Sequence, residues 1–324
     1  MEQAGDETLP YRVGGLLYIP ALKEGVAEHI GKGDYKCLTS VAFCLEDSIM
    51  DEALEEAERH LYSTLCALLE IQRAGKKLPL IFIRVRSVSH LERASERYRE
   101  LFSVITGFIL PKFGPGNAVQ YAEVIGDINR DRLRPLYFMP IIESAECIAL
   151  KSRAEALYKT EEILRPVRKY ILNIRVGGND FSNLYGLRRH ADETIYDMAV
   201  IRDALTDILN VFSGEYVVSG PVWEYFDDKS GDAWKKGLER ELKADRANGF
   251  LGKTCIHPSQ LPVVYESMKV LQTDYDDACA ILGWKDGKNG VGRVHNRMNE
   301  VKCHLKWARK IQTLGEIYGI RLEE

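Results

Sequence analysis

Eight short runs of branched and aromatic apolar residues recur along the chain, each followed by a longer amphipathic stretch, and this alternation limits the fold more than any other feature. The runs lie at 16–19, 41–45, 80–85, 107–110, 136–142, 170–176, 216–219 and 253–256. Most are continuous, as in Val41-Ala42-Phe43-Cys44-Leu45, which is the pattern of parallel strands covered on both faces. The stretches between them, at 51–74, 90–105, 118–128, 145–158, 195–212 and 232–248, place apolar residues at helical spacing, for example Leu54, Ala57, Leu61 and Leu65. Gly249 is placed to end the last of these. Two further helices are expected at 259–282 and 298–318, joined by a glycine-rich basic loop at 285–293. The pattern predicts a TIM-type (β/α)8 barrel over residues 1–258 and a C-terminal helical extension over 259–324, packed on the barrel or on a neighbouring subunit.

Composition narrows the partners. A formal net charge of −4, with no basic arm or acidic tail, argues against nucleic acid and anionic membranes. Seven cysteines form no Cys-x-x-Cys pair and are odd in number, so they are expected to be buried thiols in a reducing compartment. The first ten residues are acidic and polar, and no apolar stretch approaches the ~20 residues that span a bilayer. The expected location is cytoplasmic, with no membrane partner.

The charged residues are more telling, because a barrel of this kind carries its active site at the C-terminal ends of its strands. Strand two runs into Glu46-Asp47-Ser48, strand three holds Arg84 and Arg86, and strand four ends in Pro111-Lys112. Strand five ends in Glu143-Ser144, and strand six leads through Gly177-Gly178 into Asn179-Asp180. Each has a plain reading alone: Glu46-Asp47 or Glu143 as helix caps, Asp180 as a turn residue. Together those readings fare badly, since an unpaired ion seldom enters an apolar strand. Carboxylates from strands two, five and six, converging with cations from three and four, suit a hard metal ion and an anionic substrate.

The same residues carry a resemblance that spans most of the chain. Leu16-Leu17-Tyr18-Ile19-Pro20, Cys44-Leu45-Glu46-Asp47-Ser48-Ile49, Ile83-Arg84-Val85, Ile109-Leu110-Pro111-Lys112, Pro140-Ile141-Ile142-Glu143-Ser144-Ala145 and Gly177-Gly178-Asn179-Asp180-Phe181 occur in order. They are followed by Gly249-Phe250-Leu251-Gly252-Lys253-Thr254-Cys255-Ile256-His257-Pro258-Ser259-Gln260, the most specific of the set. The chain thereby resembles the citrate lyase beta-subunit-like proteins of the HpcH/HpaI aldolase superfamily, and within it the divergent branch named for a C–C bond lyase of TIM-barrel fold. The resemblance implies a divalent-metal-dependent lyase of aldol or retro-Claisen type, acting on a keto acid or on an acyl-CoA or acyl-carrier thioester. It implies Glu143 and Asp180 as ligands of Mg2+ (or Mn2+), with Glu46 and Asp47 reaching the ion through waters; a metal-bound water beside Glu46 or Asp47 is the expected general acid or base. Arg84 would bind the substrate's carbonyl or carboxylate oxygens and stabilise developing charge. Arg86, Lys112, Gly178 and Asn179 complete the expected substrate contacts.

Departures from the family pattern are Cys44 for an Asp, Arg86 for an Asn, Cys147 for a Gly, no Asp in Val218–Val222 and Glu300 for an Asp. They fall on the thioester side and leave the metal residues in place, and the extra Arg86 suggests a more anionic substrate. Lys112 is read as neutralising the carboxylates rather than as a Schiff-base lysine, and His257 as structural. Relatives of this kind suggest a homotrimer or hexamer. The rival readings are phosphoenolpyruvate or phosphonate chemistry on the same barrel, and a non-catalytic subunit of a larger complex.

Overall fold

The computed structural model describes residues 6–227, 229, 231–284 and 290–322. All eight expected strands form: β1 Gly15–Pro20, β2 Ser40–Cys44, β3 Leu80–Arg84, β4 Gly107–Phe113, β5 Tyr137–Ile142, β6 Ile174–Val176, β7 Val218–Ser219 and β8 Lys253–Cys255. They pair in parallel in the order β7-β6-β5-β4-β3-β2-β1-β8. The last seam is thin. It consists of one bridge between Gly220 and Lys253, flanked by Gly220 N–H donating to the Gly252 carbonyl at 3.1 Å and Leu251 N–H to the Val218 carbonyl at 2.8 Å. The sheet is therefore a closed TIM-type barrel with helices outside.

Strand residues alternate between two cores. Leu16, Ala42, Phe82, Ile109 and Met139 fill the barrel, while their neighbours Leu17, Val41, Ile83, Phe108 and Phe138 pack against the helices. The helices are α1 Val26–Lys32, α2 Leu54–Arg73, α3 Val88–Arg97, α4 Ala118–Asn129, α5 Arg153–Leu164, α6 Gly178–Leu184, α7 Ala199–Phe212, α8 Ala233–Asn248, α9 Gln260–Met268, α10 Gln272–Trp284 and α11 Val301–Tyr318. Gly249 ends α8 in the left-handed conformation at φ 105°, with its N–H on the Arg246 and Asp245 carbonyls.

Four expectations need correction. The helix expected at 145–158 is a single turn at Ala145–Cys147 followed by α5; between them the Arg153 guanidinium holds the Ile148 carbonyl from Nε and Nη2, at 3.0 and 2.8 Å. The helix expected at 259–282 breaks after Met268. There Val270–Leu271 (β9) becomes a strand that pairs with Ile320–Arg321 (β12), and Arg246 takes up the freed Ser267 and Lys269 carbonyls. A partner distant in sequence overrides the local helical pattern. Of the loop expected at 285–293, residues 285–289 lie outside the described residues. Val291–Val294 is a strand, paired antiparallel with Arg297–Glu300, so the last helix begins at Val301 rather than 298. (In order of sequence the two hairpin strands are β10 and β11.) Finally, Cys37, Cys279 and Cys303 are exposed rather than buried; all seven thiols are free.

The C-terminal elements share a core of Met268, Val270, Ile281, Ala308, Ile311, Leu314 and Tyr318, against which Tyr11 and Val217 also pack. Among the described residues no helix is long and apolar enough to cross a membrane.

Candidate active site

The C-terminal ends of β3 and β5 bring Arg84 and Glu143 together, each more than nine-tenths buried. Arg84 is the hub. Its Nη2 stands 2.8 Å from Glu46 Oε2 and 3.4 Å from Glu143 Oε1, and its Nη1 stands 3.1 Å from Asp47 Oδ2. Burial works against its charge, but the facing carboxyls, Glu143 and Glu46 among them, more than offset that and hold the guanidinium ionised. Its Nε is buried with no hydrogen-bond partner, which leaves one donor for a ligand. The Tyr18 ring of β1 lies beneath, 5.8 Å from the guanidinium carbon.

Strand β4 supplies a second device. Leu110 faces Pro140 and Phe113 faces Ile142, so β4 carries one residue more than β5 at this point, a bulge at Pro111-Lys112. Lys112 takes φ 49°, an uncommon conformation for a side-chain-bearing residue, and its N–H donates to Glu143 Oε1 at 2.8 Å. Its ammonium lies 3.3 Å from Glu46 Oε1, and that carboxylate raises its pKa. An amine held charged is the opposite of what Schiff-base chemistry needs.

Glu143 Oε1 is thus occupied, while Oε2 faces Gly177: a Cβ placed there would lie 2.3 Å from it. Burial pushes the Glu143 carboxyl up to about 8; Arg84 counters this, and the Asp180 charge adds to it. Asp180, in the first turn of α6, lines the same cavity of about 190 Å3 as Asp47, Arg84, Glu143, Gly178 and Asn179. Glu46 and Asp47 diverge. Burial raises Glu46 despite Arg84; for Asp47 the effect of burial is overcome by a hydrogen bond shared with Glu46 and by Arg84, which lower it.

Eight of the nine residues singled out from sequence meet in or around this mouth. Arg86 does not. It lies just past the end of β3, and its guanidinium holds the loop after β2, with Nε donating to the Leu45 carbonyl at 2.6 Å and the other nitrogens on the Ile49 carbonyl and Asp51. Its own N–H donates to His90 Nδ1 at 3.1 Å, which places the neutral ring's single N–H proton on Nε2, 2.9 Å from Glu58 Oε1. Burial lowers the His90 pKa against the pull of Glu58, with Arg93 and Arg86 assisting. A neutral native histidine that gains a proton on unfolding stabilises the fold above about pH 6.5, and this contribution fades as pH falls below it. The denaturation midpoint is therefore expected to drop between about pH 7.5 and about pH 5.5. In His90→Gln that drop should shrink; an identical pH profile would dismiss the assignment.

His257 is also placed structurally. Its Nδ1 lies 2.8 Å from Ser259 Oγ and its ring stacks on Phe226, while Gln260 ties Ile256 and His257 N–H groups to the Trp223 and Tyr225 carbonyls. Three cavity residues with polar side chains were not singled out from sequence: Tyr18, Arg175 and Thr254. A signal existed for Arg175, a charge within the apolar run 170–176.

The chain matches the family described as C-C bond lyase of the TIM-barrel fold over residues 7–320. None of the curated proteins matches it. Among solved structures it is similar to a citrate lyase from Burkholderia xenovorans LB400 (14% identity, TM-score 0.69, covering 96% of this chain and 94% of that one). It is similar also to CitE from Mycobacterium tuberculosis in complex with magnesium, acetoacetate and coenzyme A (20%, TM-score 0.61, 94% and 99%). A third is the citrate lyase beta subunit of M. tuberculosis complexed with oxaloacetate and magnesium (22%, TM-score 0.51, 79% and 98%). At these identities the structural likenesses speak to the fold, and the family match to the whole chain. By that match, the chain belongs to the C-C bond lyases of the TIM-barrel fold.

Proposed function

We propose that this chain is a divalent-metal-dependent carbon–carbon lyase, of aldol or retro-Claisen type, acting beside the carbonyl of a keto acid or acyl thioester. The observation that carries the reading is that Glu143 and Asp180, delivered by separate strands, line one small cavity with Arg84. Among the described residues no cluster of three or more His, Cys, Asp or Glu side chains is poised to hold an ion. The ion would therefore have two protein ligands and complete its shell from water and substrate, as Mg2+ commonly does and Mn2+ can. The residues fit it. All donors are oxygens, Glu143 Oε2 is not taken up by the contacts that hold Oε1, and a dication would offset the burial that raises this carboxyl's pKa.

When bound, the metal would supply positive charge where an enolate oxygen develops. The chain's own residues do the rest. Arg84, pinned by Glu46, Asp47 and Glu143, offers its open Nε to the substrate's carboxylate or carbonyl oxygen. Glu46, raised, and Asp47, lowered, are the pair through which a proton is delivered or taken. Gly178 and Asn179, at the start of α6, bound the substrate, and Lys112 at the rim meets its anionic end. A cavity of about 190 Å3 holds the reacting keto acid and leaves the bulk of any thioester carrier, CoA or acyl-carrier protein, outside. We place the protein in the cytoplasm as a homotrimer or hexamer, with the exposed Val291 and Met298 of the β10–β11 hairpin available for subunit contact.

Gly177→Ala is expected to push Glu143 aside and weaken Mg2+ binding about 10–100-fold, the usual effect of disturbing a ligand's support. Titration calorimetry with Mg2+ checks it; unchanged affinity would place the ion elsewhere. The function is tested by screening EDTA-stripped protein, with and without added Mg2+ or Mn2+, against keto acids and acyl-CoA thioesters. Turnover that requires metal supports the proposal. Turnover that is equal in EDTA, or absent from every pairing, removes it.

A further inference from the structure

The path into β6 carries one residue too many. Phe138 of β5 faces Ile171, whereas Ile141 faces Arg175, so three steps along β5 match four along β6. Ile171 and Ile174 pack on the helix side, while Arg175 lies level with Ile141, whose side chain faces the barrel interior. The extra residue thus swings Arg175 inward. There it is 1% exposed. Its Nη2 donates to Thr254 Oγ1 of β8 at 2.5 Å, and its Nε and Nη1 have no hydrogen-bond partner. The acidic side chains Glu46, Asp47 and Glu143 all face Arg84 instead. Burial lowers the Arg175 pKa; the nearby Tyr18 hydroxyl counters this and Arg84 adds to it. A buried cation with open donors and no counter-ion is costly to keep, and the cost makes sense where a ligand supplies the missing charge. Arg175 lines the same cavity as Arg84, Glu143 and Asp180, and it reaches that cavity from a strand three positions away from that of Arg84.

We propose that Arg175 and Thr254 receive a second anionic group of the substrate, so that the molecule bound is a small dianionic keto acid, with a distal carboxylate or phosphonate, rather than a monocarboxylate. The proposal rests on the reading of Arg84 and the metal residues as the site of the keto-acid end. The open Nη1 donor and the Thr254 hydroxyl, which accepts from Nη2 and keeps its own proton, can each meet an oxygen of one carboxylate or phosphonate, while Nε, on the opposite edge of the guanidinium from Nη1, offers a separate contact.

The test is calorimetric titration of the full chain and of Arg175→Met and Arg175→Lys with pyruvate, oxaloacetate and phosphonopyruvate, each in Mg2+ and in EDTA. With Mg2+, wild type is expected to bind the better of the two dianions at least about tenfold more tightly than pyruvate, the size of one good charge-assisted contact. Arg175→Met should abolish that preference and leave pyruvate affinity within about twofold, and Arg175→Lys should keep part of it. Which dianion binds better identifies the second group. Without ligand, Arg175→Met should melt no lower than wild type, because it removes an uncompensated buried charge. No preference in wild type, or one that survives Arg175→Met, overturns the proposal; the metal reading still stands if pyruvate binding needs Mg2+. A preference that depends on Arg175 but is equal in EDTA supports Arg175 and removes the metal reading. A lowered melting temperature with all three ligands weakened equally assigns Arg175 to the fold and overturns the proposal.

Discussion

Glu143→Gln is expected to lower metal-dependent turnover by about a thousandfold or more while leaving the protein folded. The loss is of the order seen when one stabiliser of developing negative charge is removed, and here the charge-bearing ligand itself goes. The fold should tolerate it, because the amide oxygen still accepts from Lys112 N–H, now 2.8 Å away, and the position stays within van der Waals size of the original. Burial already disfavours the ionised carboxyl in the metal-free protein, so a neutral replacement gives up little stability. Initial rates at saturating Mg2+, paired with thermal unfolding, separate the two effects. Undiminished turnover in a folded variant would show that the reaction does not use this carboxylate. Asp180→Asn should behave alike.

Lys253→Met is expected to cost about 3–5 kcal/mol of stability, the usual result of removing one partner from a buried ion network. Lys253 is fully buried, with Nζ 2.5 Å from Glu241 Oε1 and 2.7 Å from Asp245 Oδ2, both on α8. The remaining acceptors are used too: Glu241 Oε2 takes Ile195 N–H at 2.7 Å and faces Arg189 at 3.4 Å, and Asp245 Oδ1 takes the Tyr196 hydroxyl at 2.6 Å. Burial raises the Asp245 pKa and Lys253 is the principal counterweight, so methionine would leave two buried carboxyls to a single guanidinium. The site also matters topologically, since Lys253 is the β8 partner in the lone bridge that closes the barrel against Gly220. Denaturant unfolding measures the loss. Combining Lys253→Met with Glu241→Gln and Asp245→Asn should recover part of it, because the stranded charges go as well. A loss under about 1 kcal/mol for the single variant would mean that the network is solvated rather than buried.

How far this was legible beforehand can be followed residue by residue. The continuous apolar runs located every barrel strand, because a strand covered on both faces has nowhere to place polar residues. The exceptions within and after those runs marked Glu46, Asp47, Arg84, Lys112, Glu143 and Asp180, which the structure gathers around one mouth. Bulges were not legible. A one-residue insertion reverses which face a side chain takes, and no periodicity reveals it, so Arg175 stayed hidden in an apolar run although its charge was the same sign that exposed Arg84. Arg86 failed for a related reason: it shares strand parity with Arg84, but β3 ends at Arg84 and the chain turns the next cation outward onto Leu45, Ile49 and Asp51. At the C-terminus, Val270–Leu271 and Val291–Val294 take strand partners far away or across a hairpin, and local propensity carries no record of such partners.

The most direct measurement is a crystal structure of the full chain soaked in Mn2+, with the ion located by its anomalous scattering. The account predicts one manganese at the barrel mouth, with an oxygen of Glu143 and an oxygen of Asp180 both in its inner coordination sphere at roughly 2.2 Å. Manganese bound elsewhere, or no ion at the mouth with those two carboxyls more than about 8 Å apart, would contradict it.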